Sequence, residues 1–534
     1  MRREARWILL GAVLLVAVVG LAAASATAGG EQSPSTDAIV ADAHIHECAA
    51  TPPADHADPD GDTDEVIGWV EGYWYNESLD IDADDGLNES DVESLAARTA
   101  AQVEALRCLT FEEMPDIQFL TRDEHSERIE EALEDVTDAE WQWEQARLAK
   151  KLYAGQDTDP FEVHLEFRTG FPAAFYNFED EFMGFIVEEP GDIEIDQVTL
   201  AHELQHALQD QHFDLGGLLD VDYSDQSMAG RAIAEGDAVL LDGMYEQRCD
   251  EGEWVDECII PLPDPADDPE HWGMVLEMLA AYHTPLIAQT HEDAGWDAVD
   301  AIFEDPPNSM KEVIDPELYG EFEPVAIEVP DLSNDEWDRI VDEDGEAIAD
   351  RIGQHGVAAM LLAPVYETGG EVEPVNIDRF LTEHIGGDVS YGIPEVSGWQ
   401  NDYLYAYEND AGETGSVWKI AWENANQAET FADSYETAIL GLGGESLAED
   451  ERLYSLDPLE GYDLAIEVTI EDDRVWIVSA PDQGDLDAVH GEAVTPTPTP
   501  TPTPVDDDGI PGVGIVGVVM AFVVLSYALA RRRR

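Results

Sequence analysis

His202-Glu203-Leu204-Gln205-His206 has the form H-E-x-x-H. On a helix, residues four apart stand one above the other, so both imidazoles reach one ion. The pattern points to zinc held by His202 and His206, with Glu203 as the base that deprotonates a water. A hydrolytic zinc site needs a third protein ligand and one open position. Glu235, within Ala232-Ile233-Ala234-Glu235-Gly236-Asp237-Ala238, is one candidate. His212 is the other, at the third-His place of H-E-x-x-H-x-x-G-x-x-H. That pattern uses Gly to turn out of the helix, and here the position is Gln209. If the helix continues, His212 points about 120° away from His206, which favours Glu235. Asp237 is a candidate to orient a histidine from behind. Arg231, Tyr245, His271 and His283 are candidates to stabilise an oxyanion.

These side chains need two helices to carry them. The spacing of apolar residues predicts helices over 197–211, with Asp196 as N-cap, and over 228–245. Further helical patterns cover 89–107, 125–152 and 272–303. Strands are expected at 117–120, 161–168 and 183–188, the last as an edge for pairing with a peptide. After 320 the character changes. A helical piece at 337–362 precedes strand patterns at 403–407, 417–422, 465–470 and 475–479, with a helix at 427–440 between them. The expected fold class is α+β. A domain over 86–320, a small sheet plus the H-E-x-x-H helix and the helices after it, precedes a second α+β domain over 321–490.

The stretch TLAHELQHALQDQHFDL from Thr199 to Leu215, with RAIAEGDA from Arg231 to Ala238, resembles gluzincin metallopeptidases. In those, H-E-x-x-H on one helix is joined by a Glu from a second. The chain is more closely similar to exported proteins with an H-E-L-x-H-A-L-Q-D-Q signature. That likeness extends to 85–90, 295–299, 306–319, and Gly398-Trp399 with Asp402-Tyr403, so it covers about 85–480. Asp315 departs from it, standing where relatives carry His. The resemblance implies zinc on His202, His206 and Glu235, Glu203 as general base, and hydrolysis of peptide bonds in a peptide or protein substrate. The alternative is a non-catalytic surface protein that keeps the zinc for stability and binds partners.

The 534 residues carry 24 basic and 120 acidic side chains, a formal charge of −96. That charge argues against nucleic acid as a partner. It also makes the compact state repel itself, unless salt near 1 M shrinks the screening length to about 3 Å. With only four lysines, the composition reads as adaptation to extreme salt. Arg2, Arg3 and Arg6 precede an apolar run and small residues, the pattern of a signal peptide over 1–28. Residues 29–85 read as a mobile acidic leader. Five Thr-Pro repeats at 495–504 form an extended spacer. An apolar run at 512–530, followed by Arg531 to Arg534, is long enough to span a bilayer with its end in the cytoplasm. Pro511-Gly512-Val513 resembles the Pro-Gly-Phe sorting signals of archaeal surface proteins, which an archaeosortase replaces with a lipid. The expected location is the outer cell surface, membrane-anchored through the C-terminus. In that setting four cysteines suggest two disulfides, Cys48–Cys108 and Cys249–Cys258.

Overall fold

The computed structural model describes residues 14–16 and 48–490, apart from 60–65, 82–85, 135, 171–172, 189–192, 220, 261–270, 283, 385–386, 449–450, 457–461 and 463. These residues belong to one compact unit. The fold is α+β. The Thr-Pro spacer and the apolar run at 512–530 lie outside the described residues, as does most of the expected signal peptide. Among the described residues no helix is long and apolar enough to cross a membrane.

The first layer is a four-stranded mixed sheet of β1 (Leu14–Val16), β4 (Asp116–Thr121), β5 (Ala174–Asn177) and β6 (Phe182–Val187), in the order β1-β5-β6-β4. Strands β4 and β6 are parallel, whereas β5 is antiparallel to β6. Between β1 and β4 in the chain, β2 (Trp69–Val70) and β3 (Tyr73–Trp74) form a hairpin against α1 (Glu89–Arg107). The leader is therefore ordered from Cys48 onward over much of its length, which corrects the mobile reading. Val70 and Trp74 are buried, Gly68 N–H donates to Glu104 Oε2 at 2.8 Å, and Cys48 is bonded to Cys108. Cys249 and Cys258 form the second disulfide.

Two expectations in this half fail for identifiable reasons. The helical pattern at 125–152 divides into α2 (Arg122–Leu133) and α3 (Asp138–Lys150), because Thr137 and Glu140 build a capping box that starts a new helix. The expected strand at 161–168 is instead α4 (Pro160–Gly170). Its apolar alternation imitates a strand, but Asp159 accepts from Phe161 N–H at 3.0 Å and Pro160 opens the first turn.

Helix α5 (Gln197–Phe213) carries the H-E-x-x-H sequence, and Asp196 caps it by accepting from Val198 and Thr199 N–H at 2.9 Å each. It is buried on nearly every side. Leu200, Leu204, Ala207 and Leu208 share a core with Leu95 and Val103 of α1, Met183 and Phe185 of β6, and Leu241 and Tyr245. Those last two belong to the 28-residue α7 (Ser224–Glu251), which follows the short α6 (Leu215–Leu219). Short helices follow: α8 (Trp272–Leu279), α9 (Pro285–Ala294), α10 (Trp296–Glu304) and α11 (Met310–Ile314).

The remaining chain builds an eight-stranded sheet. The long central pair is β11 (Trp399–Asn409) and β12 (Thr414–Trp422), joined to β16 (Arg474–Ala480) and β15 (Ala465–Glu471). Strands β9 (Leu381–His384) and β10 (Gly387–Val389) pair with each other, apart from this sheet. The sheet's path starts at β13 (Glu445–Ser446) and β14 (Leu453–Ser455), continues through β15, β16, β12 and β11, and ends at β7 (Trp337–Arg339), with β8 (Ala349–Asp350) also on β11. Helix α12 (Gly353–Glu367) covers one face together with a helix over Ala425–Gly441. The helix expected over 337–362 is in fact β7 (Trp337–Arg339), β8 (Ala349–Asp350) and then α12. Its start is set from a distance: Asp402 on β11 accepts from Ile352 and Gly353 N–H, 2.9 Å each. Gly353 has φ +78°, and a Cβ there would lie 2.1 Å from Asp225 Oδ1. One core cluster runs from Leu148 to Ile477, so residues on both sides of position 320 share it.

Candidate metal centre

Helices α5 and α7 pack against each other, and between them His202, His206 and Glu235 bring three ligand atoms within 4.8 Å of one another. Glu235 Oε2 lies 3.4 Å from His202 Nε2 and 3.5 Å from His206 Nε2. All three residues are at most 2% exposed. His212, the rival ligand, faces elsewhere: its Nε2 sits 2.9 Å from the Thr110 carbonyl at the surface.

The tautomers follow from the partners. His202 Nδ1 is 2.7 Å from Asp242 Oδ2, a pure acceptor. His206 Nδ1 is 2.9 Å from Gln209 Oε1. The Gln209 amide is held in that orientation, because its Nε2 donates to Ala234 O at 2.9 Å and Asp237 Oδ2 at 2.8 Å. Both imidazoles therefore carry their proton on Nδ1. With both rings neutral, their Nε2 lone pairs face each other across 3.0 Å. Two acceptors at that distance repel unless a proton or a metal ion lies between them. The residues present thus fit a zinc ion: two neutral imidazoles, one carboxylate, and outer partners that fix both rings.

Glu203 is fully buried in the same region, and both its carboxylate oxygens lack a hydrogen-bond partner. Burial pushes its carboxyl well above the ordinary range, against the smaller opposing effect of His202. Glu235 goes the other way. Burial works to raise it, yet His206 and His202 outweigh that and hold it at about 2. Burial also works to lower His202, and the carboxylates of Asp242 and Glu235 overcome it and raise the imidazole.

Several supporting residues escaped the sequence reading. Asp242, seven residues after Glu235 on α7, orients His202 directly. Asp237 does not touch a histidine. It accepts from Gln205 Nε2 at 2.7 Å, from Gln209 Nε2, and from Arg107 Nε at 3.0 Å. Its influence on His206 passes through Gln209. The two-turn spacing of Asp242 from Glu235 was the available signal, blurred in a chain where acids are everywhere.

The oxyanion candidates separate. The Tyr245 hydroxyl donates to Gln102 Oε1 and accepts from Gln197 Nε2, 2.6 Å each, so it is committed to packing. His271 Nε2 lies 3.4 Å from Glu166. His283 lies outside the described residues. Arg231 is one turn before Glu235 on α7. Tyr282 was not foreseen. Thr284 packs so tightly on α7 that a Cβ at Gly236 would lie 2.0 Å from its Oγ1, which brings this loop onto the metal side. The Tyr282 hydroxyl is pushed up by burial and then by the Glu235 carboxylate. Asp315 is exposed, and accepts from Glu317 N–H at 3.3 Å in a turn of 3-10 helix.

The strand at 183–188, expected as a sheet edge, is not one. β6 is central, bonded to β4 on one side and β5 on the other. The strand that packs most closely on α5 is β5. Its outer edge pairs antiparallel with Leu14–Val16, in the register Leu14 to Tyr176 and Val16 to Ala174.

Among known proteins, no curated protein and no solved structure matches the chain. A family model described as a domain of unknown function, DUF8575, matches residues 339–490, within the region of the eight-stranded sheet and outside α5 and α7.

Proposed function

We propose that the protein is a zinc-dependent metallopeptidase of gluzincin type, held at the outer cell surface by its C-terminal segment. The observation that carries this reading is the buried cluster of His202, His206 and Glu235, with the two Nε2 atoms 3.0 Å apart beside the Glu235 carboxylate. A zinc ion held by His202, His206 and Glu235 supplies Lewis-acid polarisation of the scissile carbonyl. Glu203 takes a proton from the attacking water at a carboxylate oxygen that no other donor occupies, then passes it to the leaving amine. Asp242 and Gln209 keep both imidazoles in the tautomer that offers Nε2. The outer edge of β5, paired with Leu14–Val16, would offer its backbone groups to an extended peptide once the expected signal peptide that contains those residues is removed. The signal peptide, spacer and terminal apolar run support the surface location, and the acidity supports a high-salt setting.

One observation favours the rival reading, a zinc-stabilised surface protein without turnover. The site is closed: His202, Glu203, His206 and Glu235 are all deeply buried. Zinc content and peptide cleavage of the wild type and Glu203→Gln, at salt of roughly 1 M or above, separate the two. The peptidase reading expects zinc in both proteins and hydrolysis only in the wild type. Zinc in both with no cleavage of a broad peptide library by either supports the rival.

A further inference from the structure

Strand β5 has two partners, and they differ in permanence. On one side it pairs with β6. On the other it pairs antiparallel with β1, with Leu14 opposite Tyr176, Leu15 opposite Phe175 and Val16 opposite Ala174. Leu14–Val16 fall within the expected signal peptide over 1–28, a segment cut away on export. Without β1 the outer edge of β5 is a row of unpaired backbone donors and acceptors, a template for another strand.

This edge belongs to the metal side. β5 packs on α5, and β1 lies against α5 as well. The Tyr176 hydroxyl donates to Asp210 Oδ2 of α5 at 3.0 Å. Ala174 and Tyr176 share a core with Leu200, Leu204 and Leu208 of the same helix, whereas Phe175 packs with Leu120 and Phe182 on the other face. A strand laid on this edge therefore places alternate residues, those opposite Tyr176 and Ala174, on the face of the sheet that α5 covers. That helix carries His202, Glu203 and His206. β1 thus takes the place that an extended substrate would take.

We infer that the leader is a built-in occupant of the substrate edge, so that the chain is latent until the leader is removed. This rests on the metallopeptidase reading. Latency needs no chemical change in the metal centre. A tethered strand competes with free peptides at an effective concentration of about millimolar, and its removal leaves the edge open.

The test compares the full chain with the chain that begins at Gly29, both folded in salt of roughly 1 M or above. An intact mass confirms that the full chain still carries its leader. Hydrolysis of a neutral peptide by the Gly29 chain should exceed that of the full chain by about 10-fold or more in kcat/KM, mostly through KM. Hydrogen exchange is followed on Glu203→Gln versions of both chains, which do not trim the leader. The segment Ala174–Asn177 should exchange faster in the Gly29 chain, because its edge amides have lost their partners. The full-length double variant Leu14→Pro/Leu15→Pro should match the Gly29 chain in both readouts. Alternate residues of an antiparallel strand face the partner, so one of the two prolines removes a bonded N–H. Equal hydrolysis and equal exchange in the full and Gly29 chains overturn the docked leader while peptide hydrolysis stands. So does a double-proline variant that stays slow and protected. If neither chain cleaves any peptide but the Gly29 chain still loses protection at β5, hydrolysis falls and the docked leader stands.

Discussion

Removing the Asp237 carboxylate should damage both the fold and the metal centre, by separate routes. Asp237 is fully buried and accepts from Arg107 Nε at 3.0 Å, Gln205 Nε2 at 2.7 Å and Gln209 Nε2 at 2.8 Å. Arg107 is itself 0% exposed and stacks over Trp296, its guanidinium carbon 4.3 Å from the ring centroid. In Asp237→Ala that guanidinium keeps only Asp300, whose side chain is 30% exposed, as an ion-pair partner. Stranding a buried charge of this kind costs about 3–5 kcal/mol. Asp300→Ala is the control: its half-solvated carboxylate should cost about 1 kcal/mol or less. The second route runs through Gln209, which loses the acceptor that orients it toward His206, and zinc affinity should fall about 10- to 100-fold. Urea unfolding of the metal-free protein at roughly 1 M salt isolates the stability loss, and competition with a chelator measures the affinity. Adding Arg107→Met to Asp237→Ala should recover part of the stability, because no charge is then stranded. A loss below about 1 kcal/mol, the worth of one neutral hydrogen bond, together with unchanged zinc affinity, would refute the reasoning.

Three other outcomes are expected. Asp242→Ala should weaken zinc binding about 10- to 100-fold with little change in the metal-free fold, since Asp242 is partly exposed and holds His202 through Nδ1; equal affinity in a chelator titration counts against it. Asp402→Ala should cost at least about 3 kcal/mol, because it strands four buried N–H groups, those of Ile352, Gly353, Trp399 and Trp418, each 2.9 Å from the carboxylate; a near-normal unfolding midpoint contradicts this. Glu104 is pushed from 4.5 up to about 8 by burial, only partly offset by the N–H groups of Phe111 and Gly68. Between those values it is protonated in the fold and ionised in the unfolded chain, so its contribution to stability falls as pH rises from about 4.5 to 8. The unfolding free energy of Glu104→Gln should depend on pH less steeply over that window, and an identical slope would exclude the effect.

The residues of the candidate site were more legible than their support. His202 and His206 announce themselves by spacing, and Glu235 by a helical setting with small neighbours. The strands from β11 to β16 showed through their apolar alternation, and α7 through its period. What stayed hidden depends on distant partners. The start of α12 is written in Asp402, which lies about fifty positions away and also gathers Trp399 and Trp418. Arg107, from α1, anchors Asp237. The strand-like pattern of 161–168 lost to a local start signal at Asp159-Pro160. Acidity itself obscured Asp242, since one more Asp on a helix carries little information in a chain of 120 acids.

The central claim is that His202, His206 and Glu235 hold a catalytic zinc ion. Metal content by mass spectrometry, on the folded protein dialysed against salt of roughly 1 M or above, tests it most directly when wild type is set beside His202→Ala and Glu235→Ala. About one zinc per wild-type chain is expected, with a large loss in both variants. A folded wild-type protein that stays metal-free when offered zinc would contradict it, as would a Glu235→Ala variant that binds zinc as tightly as wild type.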